Sequence, residues 1–322
     1  NYGTLLAAEK AYADILKKAA KELGDIYKTT GDYIEKLPGD ELNAFGSEWY
    51  ILGLARSGRK VFDDYYKAIE KYVSENIDEN GRLDEKRATD NAKLVLVLSA
   101  LDKDVTDVGG HDLLKALSDM DYVTQQGLSG AIYALLAFDC RGYDIPSADK
   151  NVEQTSREGL VKYILDKQLK DGGWAYSGDK AEPDMTAMAL QALAAYYKTD
   201  AKVKEAADKA VTCLSKLQNT TGGYDSYGSA NSESAAQVIT ALTALGIDPD
   251  NDARFVKNGA SVLDSLCGFY VDGGGFRHVS DGKLDPTATA QGYYALAAYY
   301  RFAGSQTALY DMTDLDTVEK AA

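Results

Sequence analysis

Metal ligands and cross-links are scarce in this 322-residue chain: it holds 2 histidines, 3 cysteines and 5 prolines. Cys140, Cys213 and Cys267 are too few and too scattered for a disulfide framework or a zinc knuckle, and read as small buried hydrophobes. With only His111 and His278 available, a zinc site of the Asp, Cys and His kind has no ligand set; Cys140 directly follows Asp139, the wrong spacing for it. No apolar run reaches about 18 residues, so nothing spans a bilayer. Positive charge is short too: 35 Lys and Arg against 50 Asp and Glu leave a net −15. That excludes a general nucleic-acid or anionic-membrane surface and suits a well-solvated extracellular one, an acidity that cytosolic proteins share. Phosphate loops and serine-nucleophile elbows are missing. Residue 1 is Asn with no signal-like apolar segment after it, and the expectation is that a leader or flanking domains have been cut away.

What is present is a repeat. Gly172-Gly173-Trp174, Gly222-Gly223-Tyr224 and Gly274-Gly275-Phe276 place their second glycines at 173, 223 and 275, 50 and 52 residues apart. A period near 50 means stacked or closed helical hairpins. Before each mark lies an amphipathic stretch. In 201–218, Val203, Ala206, Ala207, Ala210, Val211, Leu214 and Leu217 share one face, with lysines and acids on the other. After each mark comes a stretch almost without charge, which reads as a helix buried on most sides. Such low-charge helices are expected at 44–56, 88–101, 125–138, 184–197, 232–245 and 286–301. Their amphipathic partners are expected at 4–35, 61–77, 110–120, 155–168, 202–218 and 254–269, the first broken near Gly24 or Gly31.

Half-exposed rods alternating with buried ones pack as two concentric rings. The expected fold is all-α, an α/α toroid of six helical hairpins in one domain over 1–322, with clear repeats at 155–312 and fainter ones at 1–150. Each Gly-Gly supplies the reversal between outer and inner helix, and its aromatic plugs the hairpin end. Asp184, Asn231 or Ser232, and Asp285-Pro286 are the expected caps of the inner helices. Tyrosine, at 23 against 7 Phe, offers apolar bodies with polar tips along a solvent-reaching cavity.

Gly159, Tyr163, Gln168, Gly173 and Trp174 resemble the Gln-Trp repeat of squalene and hopene cyclases; Gln218, Gly223 and Tyr224 form a weaker copy. The chain is thus similar to the prenyltransferase and squalene-cyclase repeat superfamily, which implies the α/α toroid. Pro183-Asp184-Met185-Thr186-Ala187-Met188-Ala189, Asn231-Ser232-Glu233-Ser234 and Gly273-Gly274-Gly275-Phe276-Arg277-His278 resemble the prenyltransferase-like domain of secreted surface proteins from Gram-positive gut bacteria. Those proteins often carry a neighbour resembling the C-terminal part of transcobalamin. The resemblance implies an extracellular or cell-surface location, further domains in the parent chain and a non-enzymatic leaning. A corrinoid ligand follows from it by analogy only.

The family's own chemistry is not reproduced. A protonating cyclase needs Asp-x-Asp-Asp, and here the loop offers Glu182 and Asp184 around Pro183. Asp63-Asp64 lacks a third carboxylate in register and reads as a helix N-terminus that favours negative charge. No Gly-Cys-Gly-Glu-Gln thioester stretch is present. One set survives: if every hairpin runs the same way, one rim gathers Trp174, Tyr176, Asp184, Tyr224, Tyr227, Asn231, Glu233, Phe276, Arg277, His278 and Asp285, joined by Glu48, Trp49, Asp90 and Gln125. These also read as caps and rim packing. As a binding site, the positive ends of six helices would favour an anionic or carbonyl-rich ligand there.

The expectation is a non-catalytic ligand-binding or adhesion module with no metal and no catalytic residue. A small molecule or glycan would occupy its central funnel. The alternative is a carbohydrate-active enzyme using Asp184, Glu233 and Asp285, which requires carboxylates about 5–10 Å apart across an open cleft. A degenerate terpenoid cyclase stands last and requires a sealed, aromatic-lined cavity.

Overall fold

A computed structural model describes residues 2–61 and 63–317. Thirteen α-helices appear among them: α1 (Tyr2–Glu35), α2 (Gly39–Leu42), α3 (Glu48–Arg56), α4 (Asp63–Asn76), α5 (Ala88–Ala100), α6 (Met120–Gln125), α7 (Leu128–Asp139), α8 (Arg157–Asp166), α9 (Pro183–Leu193), α10 (Ala201–Leu217), α11 (Ser232–Ala244), α12 (Val262–Cys267) and α13 (Pro286–Ala303). A two-residue hairpin, β1 (Asp225–Ser226) with β2 (Ser229–Ala230), is the one sheet among them. No described helix is long and apolar enough to cross a membrane.

The low-charge stretches are the inner ring. Helix α3 packs on α5, α5 on α7, α7 on α9, α9 on α11, α11 on α13, and α13 returns to α3. Their side chains are buried nearly all round, as uncharged rods with neighbours on every side should be. Outside them, α8 packs on α7, α10 on α9, α12 on α11 and α1 on α13. The amphipathic α10 buries Val203, Ala206, Ala207, Ala210, Val211 and Leu214 and leaves its lysines in water. The fold is an α/α toroid.

Three outer segments differ from expectation. Helix α1 runs unbroken through Gly24 and Gly31. A Cβ on Gly31 would lie 2.4 Å from Arg59 Nε, so this glycine lets the Arg59 guanidinium cross the helix and reach Asp32, Glu35 and the Lys28 carbonyl. The stretch 110–120 is no helix. Val108 and His111 close a tight turn over Gly109 and Gly110, and helical structure begins in a short 3₁₀ turn at Ala116–Ser118. Within 254–269 the helix is reduced to α12, because Asn258 and Gly259 both take positive φ and turn the chain between Lys257 and Ala260.

The Gly-Gly marks join one hairpin to the next. A Cβ on Gly172 would meet the Lys209 carbonyl oxygen at 2.9 Å, on Gly222 the Ser261 oxygen at 2.4 Å, and on Gly274 the Thr29 oxygen at 2.8 Å. Each first glycine therefore presses on the next outer element: α10, the start of α12, and α1. Gln168 Nε2 donates to the carbonyls of Gly172 and Ala206, and Gln218 Nε2 to those of Gly222 and Phe255. Trp174, Tyr224 and Phe276 fill the hairpin ends at zero exposure.

At the other end of the ring, residues 304–314 cross the C-termini of the inner helices. Arg56 Nε donates to the Leu309 carbonyl, Met312 N to that of Cys140, and both Arg56 and Arg301 bind Asp314. Cys140 and Cys213 are buried and Cys267 half-buried; none forms a disulfide, and burial pushes their thiols up, to about 12 for Cys140 and Cys267 and about 11 for Cys213.

Candidate functional site

On otherwise buried inner helices, one line of residues keeps partial solvent access: Trp49, Thr89 and Lys93, Ser129 and Tyr133, Asp184 and Met188, Glu233, and Gln291. Ring neighbours cover the flanks and outer helices the backs, so this line faces the axis. Most pairs are spaced i, i+4, one helical turn apart on a common stripe. Trp49 confirms the direction. Its ring lies 5.8 Å from that of Tyr133 on α7, although α5 stands between α3 and α7 in the ring.

The floor of this funnel is aromatic and amide-lined. Trp49 also meets Tyr294 edge-on at 5.9 Å. Gln191 Nε2 donates to Gln237 Oε1 at 2.9 Å, and Gln237 Nε2 donates to Gln291 Oε1 at 2.9 Å and to the Tyr294 hydroxyl. These bonds tie α9, α11 and α13 together. Burial pushes the Tyr133 and Tyr294 hydroxyls far above the usual phenol value. Tyr133 nevertheless keeps some solvent access, which describes a side chain at the bottom of a funnel. From below, Tyr310 closes the axis, and its buried hydroxyl has no hydrogen-bond partner.

The mouth is acidic. Burial raises the Asp184 carboxyl, and nearby Glu182 and Glu233 raise it further, against the hydroxyls of Ser234 and Ser226. Ser226 Oγ donates to Asp184 Oδ2 at 3.1 Å. Glu233 Oε2 lies 2.8 Å from His278 Nδ1. Across the ring, Glu48 is buried, accepts from Gly46 N at 2.7 Å and is pushed up by desolvation. Asp90 is held by Arg87 at 3.1 Å and by Lys93 at 3.5 Å. The positive ends of α3, α5, α9 and α11 are thus met by acids in their own first turns, and that of α13 by Asp285. Acids of the chain itself occupy the helix ends where an anionic or carbonyl-rich ligand was expected.

Asp184, Glu233 and His278 meet on one side of the mouth, with Glu48, Trp49 and Asp90 opposite. Asn231 and Asp285 cap α11 and α13 by accepting from Ser234 N and Ala288 N. Asp184 is not a cap: Glu182 holds that position, Pro183 opens α9, and the Asp184 carboxyl turns to Ser226 instead. Trp174, Tyr224 and Phe276 lie in the core; Trp174 Nε1 donates to the Ile164 carbonyl. Tyr176 and Tyr227 stand in solvent at 72% and 90% exposure. Arg277 binds the carbonyls of Tyr270 and Ser280, and Gln125 that of Glu85.

Sequence reasoning did not find Lys93, Tyr133, Met188, Gln191, Gln237, Gln291, Tyr294 and Tyr310. For most, a signal existed: a polar residue on an uncharged helix, one turn after another polar residue, as in Glu233/Gln237 and Thr89/Lys93. Tyr310 had none. Among the described residues, no three His, Cys, Asp or Glu side chains converge as metal ligands do. A groove of about 720 Å³ between α8 and α10 lies outside the ring and is edged by the exposed pairs Lys162–Asp166 and Lys209–Glu205.

No protein-family model matches the sequence, and no curated protein is similar to it. Solved structures are similar in shape. Protein geranylgeranyltransferase-I of Candida albicans, complexed with GGPP, superposes with a TM-score of 0.56 at 13% identity, over 87% of this chain and 91% of that one. The ent-copalyl diphosphate synthase of Streptomyces platensis gives 0.51 at 17% identity, over 80% of this chain and 50% of that one, so the chain spans half of that enzyme. The likeness is one of fold: the chain is an α/α toroid of the architecture shared by protein prenyltransferases and terpene cyclases.

Proposed function

We propose that this chain is a non-catalytic ligand-binding module of a secreted or cell-surface protein, and that its ligand sits in the funnel mouth. An apolar face of the ligand lies on Trp49 and Tyr133, and its polar edge meets Asp184, Glu233 and Gln291. The observation that carries this reading is the state of the rim carboxylates. Asp285 is used as a cap, Glu233 is paired with His278, and Asp184 is held by Ser226. Only Asp184 keeps a buried oxygen without a partner, its Oδ1, and one such carboxyl does not make the acid and base pair of a glycosidase. The axis, filled by Trp49, Tyr133, Tyr294 and the glutamine chain, also opposes a polyprene-sized chamber.

A glycan end, or a corrinoid edge with its amide groups, has the mixed apolar and polar character that such a mouth accepts. Surface location and further domains in the parent chain are part of the same proposal, supported by the net charge of −15. Calorimetric titration with monosaccharides and disaccharides, cobalamin and a polyprenyl alcohol tests it. Saturable binding of a sugar or of cobalamin, weakened roughly 10- to 100-fold by Trp49→Ala, is expected. Hydrolysis of the sugars, preferential binding of the polyprenyl alcohol, or no binding by any probe would overturn it.

A further inference from the structure

Helix α1 packs on α13 only in its second half. Every residue from Gly3 to Glu22 is exposed, and burial begins at Leu23. Yet the exposed half is not polar all round. Leu5, Ala8, Tyr12, Ile15, Leu16 and Ala19 continue the stripe that Leu23 and Ile26 press into the body, at spacings of three and four. Lys10, Asp14, Lys17, Lys18 and Lys21 take the opposite side. On this stripe Leu5, Tyr12, Ile15 and Leu16 are 57%, 63%, 64% and 51% exposed, while Leu6 lies on the lysine side. That is an apolar face on the order of 500 Å², at the upper end of what monomers present to water. A helix of about 20 residues without tertiary contacts is also only marginally stable.

We propose that this face is covered by a second copy of the chain, the two α1 helices pairing antiparallel with Tyr12 near the two-fold axis. Two such faces bring together ~1,000 Å², close to the lower bound of a specific interface. The base of the helix supplies the remainder. A groove of about 340 Å³ lies there between Leu16, Ala19 and Leu23 of α1 and Leu263, Tyr299 and Ala303 of the body. Pairing about Tyr12 sets Leu5 of the partner subunit beside Ala19, at the mouth of that groove, where two alanines in succession permit close approach.

Charge selects the direction. Within residues 2–22, Lys10, Lys17, Lys18 and Lys21 stand against Glu9, Asp14 and Glu22, so this segment carries +1 while the whole chain carries −15. Antiparallel pairing sets the acidic bodies at opposite ends of a helix pair about 30 Å long, and opposes the helix dipoles. Parallel pairing would crowd the bodies together.

Sedimentation equilibrium of the chain up to about 100 µM tests the proposal. The mass of two chains is expected, with the dimer weakened roughly 100-fold by Ile15→Glu while the Tm of the body stays unchanged. In a Cys267→Ser background, Leu5→Cys combined with Ala19→Cys should cross-link chains on oxidation, and Leu5→Cys alone should not. A monomer at every concentration, a dimer indifferent to Ile15→Glu, or cross-linking of Leu5→Cys alone would overturn it.

Discussion

Asp184 sits where burial acts against its ionisation. Desolvation is the main cause of its raised carboxyl, with Glu182 and Glu233 adding to it, so the folded chain holds the proton more tightly than the unfolded chain. A raised carboxylate destabilises the fold once pH exceeds the folded value, and contributes nothing below the ordinary value of 3.8. Asp184→Asn, which can still accept from Ser226, should therefore raise Tm at pH 7 by a few degrees. The gain should fade as pH falls through the raised folded value and be gone below the ordinary carboxylate value. Thermal melts of both proteins across pH 3–8 check this; an Asn variant that is less stable at pH 7 would mean that the charge itself is needed. Asp184 and Glu233 were legible in the sequence because a charge at the start of an uncharged helix stands out, and His278 because the chain has only 2 histidines. Gln191, Gln237 and Gln291 were harder to read, since a glutamine leaves the low-charge pattern intact and its partners are one helix away, although Gln237 falls one turn after Glu233. Lys93 was missed although a charge inside an otherwise apolar helix is itself a signal.

At the scale of elements, the repeat works as a joint. Gln218 is buried, and its amide satisfies the carbonyl of its own loop and that of Phe255 in the next hairpin. Gly222 lies at φ +80 with the Ser261 carbonyl where a Cβ would be. Gly222→Ala should cost at least about 3 kcal/mol, from left-handed strain together with a clash against backbone that cannot yield. Gly228, in the β1–β2 turn, has a similar φ of +91 but open space around it, so Gly228→Ala should cost only about 1 kcal/mol. Urea unfolding of the two variants separates strain from clash. Equal losses would remove the joint from the account. The sequence period located these joints, and low charge located all six inner helices, since uncharged helices leave one reading. Outer helices were harder. Hydrophobic spacing alone could not tell α12 from the turn at Asn258-Gly259 before it, nor anticipate that Gly31 makes room for Arg59 instead of ending α1.

Closing the ring depends on residues far apart in the chain. Arg56 on α3 bonds Leu309, 253 residues later, and Arg301 on α13 bonds the Arg56 carbonyl. Both guanidiniums are nearly buried, 3% and 7% exposed, and Asp314 lies 3.1 Å from one and 2.8 Å from the other. Periodicity cannot reveal such a clasp, because residues 304–317 follow α13, the last inner helix, and carry no helical pattern of their own. Partial burial alone would raise the Asp314 carboxyl, but the two arginines outweigh it and hold it below the ordinary value of 3.8. A depressed carboxylate gives its full stabilisation above the ordinary value and loses it as pH falls through the folded one. Asp314→Ala would leave two like charges buried side by side. The cost should be about 2–3 kcal/mol at pH 7, below that of a fully buried pair because Asp314 is a third exposed. The deficit against the wild type should shrink in acid, where the native Asp314 is itself protonated. Because the same segment seats Tyr310 under the funnel floor, its loosening should also quicken amide hydrogen exchange at 307–314 before it reaches α9 or α11. Exchange that rises evenly over the whole ring would show that the clasp is not a separate closure but part of one cooperative core.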